Sequence, residues 1–173
     1  MKSRLVIHMD DRSTDFLKPI YRGTTGTVVT RPLPSSLIND LIDEHDQVIM
    51  LGHGCSTGLF SLQGGLIIDE MNVEALREKT DSIFIWCHAS TFMKENDLLG
   101  FATGMFVSEV GEADIYNLDP DKEKIEESNR VFAELVSEHL DENIDVLYER
   151  VHKNYDMGDW EVPAYNRNLL TWR

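Results

Sequence analysis

The stretch Ser82-Ile83-Phe84-Ile85-Trp86-Cys87-His88-Ala89-Ser90 constrains the fold more than any other part of the chain. Bulky apolar residues follow one another without polar alternation, then run into a small polar corner. A short run of this kind reads as a strand buried on both faces, as in a parallel sheet covered by helices. Val48-Ile49-Met50-Leu51 repeats the pattern and ends in Gly52-His53-Gly54. Two buried strands thus each deliver a reactive side chain, His53 and Cys87, at the carboxyl end. In open α/β sheets, ligands and chemistry gather at that edge.

The remaining elements fit around these two strands. Arg4 to Met9 reads as a first strand, with the polar corner Asp10 to Asp15 on the same edge as His53 if the strands are parallel. Residues 16–33 read as a loop with a short β-branched strand. Pro34-Ser35-Ser36 opens a helix with Leu37, Ile38, Leu41 and Ile42 on one stripe. Residues 58–69 read as a hairpin turned by Gly64-Gly65, and Asn72 as the cap of a short helix. After Ser90 the spacing of Phe101, Ala102, Met105, Phe106 and Val110 predicts a helix ended by Gly111. Ala113 to Leu118 then predicts a strand, and Asp119-Pro120 the start of a long helix. Apolar stripes through Ile125 to Leu140 and Ile144 to Tyr155 predict two helices, and the tail a last strand or short helix. The whole is a single α/β domain over residues 1–173.

Composition excludes several functions. The net charge of −15 is wrong for a nucleic-acid binder, which needs a basic footprint. No 18-residue apolar run exists, and the first residues are too short for a signal-peptide core, so no membrane association and a cytoplasmic location are expected. Two cysteines make no disulfide framework and are expected to be thiols. A zinc site is disfavoured because Cys87 and His88, adjacent on a strand, point to opposite sides. No metal and no cofactor are expected.

A cysteine ending a buried strand is, alone, an ordinary core thiol. The ordered pattern says more. An apolar strand, His-Gly, a hairpin, a helix, then an apolar strand ending in Cys resembles the caspase-like cysteine peptidases. Leu51-Gly52-His53-Gly54 resembles the Gly-His-Gly of metacaspases and CHAT domains, and Cys87-His88-Ala89-Ser90 is similar to the Cys-His-Ser-Gly of metacaspases. The likeness covers roughly residues 47–155. Two positions depart from the pattern: Trp86, where the family has a small or acidic residue, and Ser90, where it has glycine.

The resemblance implies a three-layer caspase-like fold, a mostly parallel central sheet with helices on both faces. It implies Cys87 as nucleophile and His53 as general acid, with backbone N–H groups near Gly54 and Cys87 holding the oxyanion. An imidazolium at His53 would lower the Cys87 pKa, so that Cys87 alkylates before Cys55. Asp10 and Asp11 are candidate substrate-binding residues, placed to face a basic side chain of a protein or peptide substrate. The alternative is a catalytically silent module of the same fold that binds a protein partner or small ligand. The oligomeric state is left open.

Overall fold

The structure, a computed structural model, describes residues 2–62 and 64–173. Its centre is a six-stranded sheet. β1 (Arg4–His8), β2 (Gly26–Val29), β3 (Gln47–Leu51), β7 (Ser82–Ile85), β8 (Gly100–Ala102) and β9 (Thr171–Trp172) lie in the order β2-β1-β3-β7-β8-β9. Every pairing is parallel except β8 with β9. A small antiparallel sheet, β4 (Gly54–Cys55), β5 (Gly58–Phe60) and β6 (Leu66–Ile68), leaves the chain just after β3. Gly64 and Gly65, both near φ +80°, take the left-handed conformation of that hairpin's turn, where a side chain is disfavoured. Gln63, part of the expected turn, lies outside the described residues.

The uninterrupted apolar runs have a simple cause. Alternate residues of each strand enter two different cores. Leu5, Ile7, Val48, Met50 and Phe84 pack with Ile38 and Ile42 of α1 (Ser35–Glu44), Leu76 of α2 (Val73–Arg77) and Phe92 of α3 (Ala89–Glu95). Val6, Ile49, Leu51, Ile83 and Ile85 pack with Phe132 and Val136 of α5 (Lys122–Glu138) and Leu147 and Val151 of α6 (Ile144–Asn154). With apolar contacts on both sides, no strand position between Leu5 and Ile7, or between Val48 and Leu51, admits a polar residue at low cost. Among the described residues no helix is long and apolar enough to cross a membrane.

The region after Ser90 departs from expectation. Residues 101–110 are not a helix. Gly100–Ala102 forms β8, and the chain then runs irregularly to Glu109. Phe101, Ala102, Phe106 and Val107 are all buried, so a three-residue strand plus a buried loop imitates a helical stripe. Residues 113–118 are not a strand either. The first half of that segment belongs to α4 (Val110–Ile115), which contains Gly111 rather than ending at it. Ile115, within that span, is 75% exposed. α5 begins two residues later than the Asp119-Pro120 reading: Asp121 is its cap, accepting from the Lys124 N–H at 3.1 Å. Asn72 precedes α2 but its side chain does not cap it. Its carbonyl instead accepts from the Asp69 N–H at 3.0 Å. The tail forms both a helix, α7 (Glu161–Asn168), and the strand β9.

Candidate active site

β3 and β7 are neighbours in register, Ile49 to Leu51 beside Ile83 to Ile85, and the Gly52 N–H donates to the Ile85 carbonyl at 3.0 Å. The two chains therefore leave the sheet side by side, one into His53 and the other into Cys87. Both residues line one cavity of about 610 Å³, with Met9, Asp11, Gly54 and Glu112 on its walls. A smaller recess bounded by Gly52, His53, Trp86 and Cys87 continues beneath it.

The turn that carries Cys87 is held tightly. His88 sits at φ +67°, a left-handed conformation in which a non-glycine residue is strained. Its N–H donates to the Gly104 carbonyl at 2.9 Å, and the Ser90 N–H to that of Thr103 at 2.8 Å. The Thr103 hydroxyl accepts from the Trp86 N–H at 3.1 Å and donates to the Trp86 carbonyl at 2.8 Å. The bend thus depends on the loop after β8. Among the described residues no acceptor meets the Cys87 N–H.

Trp86, the residue before Cys87, has a clear structural role. Its indole N–H donates to the Cys55 carbonyl at 3.0 Å. A Cβ on Gly54 would come within 2.2 Å of its ring and 2.5 Å of the Gly58 carbonyl. Gly54 therefore admits the indole against its backbone.

The thiols behave opposite to expectation. Cys87 Sγ donates to the Phe106 carbonyl at 3.7 Å, and burial raises its pKa, with Glu112 adding to the rise. It rests as a thiol rather than a thiolate. Cys55 is held lower by the Thr57 hydroxyl, 3.1 Å from its sulfur. Both are free, and among the described residues no three His, Cys, Asp or Glu side chains gather as a metal site. His88 is exposed and on the α3 side of the bend.

His53 Nε2 lies 2.7 Å from Ser13 Oγ, and Ser13 Oγ lies 2.7 Å from Asp11 Oδ1. Asp11 also caps the 3₁₀ segment Arg12–Tyr21 by accepting the Ser13 N–H at 3.0 Å. These bonds, the hydroxyl's first, pull its carboxyl below the usual range. Behind it His8 is buried between the Tyr21 and Thr14 hydroxyls, each at 3.0 Å. Burial, followed by the charge of Lys18, lowers its pKa to about 4.

Of the two candidate acidic residues, Asp11 lines the cavity. Asp10 does not; it is exposed and faces Lys18 at 3.8 Å. Since β3 lies between β1 and β7, Asp11 stands beside His53 rather than beside the Cys87 strand. Glu112 was not foreseen. Its carboxylate accepts from the Ser108 and Glu109 N–H groups at 2.7 and 3.2 Å, fixing it on the cavity wall. Ser13 was likewise missed, although Asp-x-Ser after a strand is a turn signal. No family model, no curated protein and no solved structure matches this chain.

Proposed function

We propose that this chain is a caspase-like cysteine peptidase in which Cys87 is the nucleophile and His53 the acid–base. The observation that carries the reading is the meeting of His53 and Cys87 in one cavity, at the carboxyl ends of adjacent parallel strands. The resting thiol is protonated, so attack begins with transfer of the Cys87 proton to His53. Sulfur then bonds to the scissile carbonyl carbon, and the carbonyl oxygen takes the negative charge. The open Cys87 N–H, with an N–H near Gly54, is suited to hold that oxyanion. Collapse breaks the C–N bond while His53 returns the proton to the leaving amine, giving a thioester. Water, deprotonated by His53, cleaves the thioester, and the proton goes back to sulfur.

The cavity wall carries Asp11 and Glu112, and neither lysine nor arginine is among its described lining residues. This supports a substrate with a basic side chain before the cut, since a charge-assisted contact contributes roughly 1.5–3 kcal/mol. The alternative, a silent module that holds a partner or small ligand in the same cavity, draws on the protonated Cys87 and on the engagement of His53 by Ser13.

Fluorogenic peptides varied only at the residue before the cut test the reading. Cleavage after Arg or Lys is expected, abolished by Cys87→Ala and shifted about tenfold against basic residues by Glu112→Gln. Cleavage after Asp overturns the acidic pocket, and hydrolysis that survives Cys87→Ala overturns the nucleophile.

A further inference from the structure

We infer that Ser13 is a positioning residue that, backed by Asp11, holds His53 with its proton on Nε2 and leaves Nδ1 to exchange the proton of the reaction. The inference rests on the peptidase reading only for its catalytic consequence. The hydrogen-bond assignment stands on geometry.

A serine hydroxyl has one proton to give. Ser13 Oγ lies 2.7 Å from Asp11 Oδ1, an oxygen that also receives the Ser13 N–H at 3.0 Å. An ionised carboxylate has no proton to return, so the hydroxyl proton goes to Asp11. Only lone pairs of Oγ then face His53 Nε2, also at 2.7 Å. Nε2 must be the donor in that contact. A neutral imidazole with its proton on Nε2 has its lone pair on Nδ1, and among the described residues no hydrogen-bond partner meets that nitrogen.

The same rule governs the histidine behind it. The Thr14 hydroxyl donates to the Asp11 carbonyl at 3.0 Å, so its oxygen accepts from His8 Nε2, also 3.0 Å away. His8 Nδ1 in turn accepts from the Tyr21 hydroxyl at 3.0 Å. Both imidazoles thus donate from Nε2 into the one turn that Asp11 caps. The other ionisable groups sharing the cavity with His53 are Cys87 and Glu112.

The arrangement differs from a serine-nucleophile triad. There the carboxylate orients the far nitrogen of the histidine and the serine is free to attack. Here the carboxylate binds the serine itself, so Ser13 Oγ holds its neighbours in place.

The test pairs nitrogen-detected NMR of the His53 ring with steady-state kinetics on the best peptide of the panel. In the wild type the ring proton is expected on Nε2, with a hydrogen-bonded resonance that Ser13→Ala abolishes and Ser13→Thr restores. In Ser13→Ala, kcat is expected to fall on the order of tenfold with KM unchanged, and to recover in Ser13→Thr. A wild-type ring protonated on Nδ1, or Ser13→Ala with unaltered kcat, overturns the inference. A wild type that shows the Nε2 proton and cleaves none of the peptides overturns the peptidase reading and leaves the hydrogen-bond assignment standing.

Discussion

His8 shows what a single buried residue does to the molecule. It ends β1 in the core, its ring nitrogens take two hydroxyls, and it stays neutral down to about pH 4. The unfolded chain protonates it near 6.5. Between these values the unfolded state binds the extra proton, so stability falls as pH falls. The loss amounts to about 3 kcal/mol once pH 4 is reached. Lys18 opposes the imidazolium, and Asp11 and Asp15 partly offset it. Urea unfolding followed from pH 7 to 5, above most carboxylate titration, should show this slope in the wild type and lose it in His8→Gln. Equal slopes would mean that His8 is not the buried neutral group described here. The other site residues were unevenly legible. His53 and Cys87 announce themselves because each follows an apolar run. Ser13, which meets His53 from a 3₁₀ segment, and Glu112, which lines the cavity from a short helix, do not, because only the tertiary fold decides where those elements lie.

At the scale of elements, the bend between β7 and α3 presents Cys87. His88 takes up its turning angle at φ +67°, where the side chain costs about 1–2 kcal/mol. Glycine relieves that cost but adds roughly 0.5–1 kcal/mol of chain entropy. His88→Gly should therefore leave stability within about 1 kcal/mol of wild type, whereas β-branched His88→Val should lose about 2 kcal/mol or more. Denaturant midpoints measure both, and a valine variant as stable as wild type would show that the bend does not need this conformation. Elements were readable where burial is two-sided or periodic over many residues, as in β3, β7, α5 and α6. They were not where an element is three to six residues long. β8 has too few positions to show a period, and α4 turns only Val110 and Ala113 to an apolar cluster while Glu112 accepts from the Ser108 and Glu109 N–H groups at its start.

For the whole molecule, strand order is what makes a site. β1, β3 and β7 are parallel and adjacent, so residues 40 or more positions apart in the chain, such as Ser13 and His53, end on one edge. The α/β architecture and that shared edge followed from apolar runs and their polar ends. The protonation state of Cys87 did not, because desolvation depends on the Phe106 loop that closes over it. Under the proposed function, a buried thiol at Cys87 should react differently with small and peptide-like electrophiles. The decisive measurement is intact mass and site mapping after exposure to iodoacetamide and, separately, to an electrophilic peptide ending in arginine. Iodoacetamide should take Cys55 first, because that thiol is more exposed and more acidic. The peptide electrophile should add once, at Cys87, and at least about 100-fold more slowly in His53→Ala. Addition of the peptide at Cys55, or at Cys87 with the same rate in His53→Ala, would contradict the pairing of His53 with Cys87.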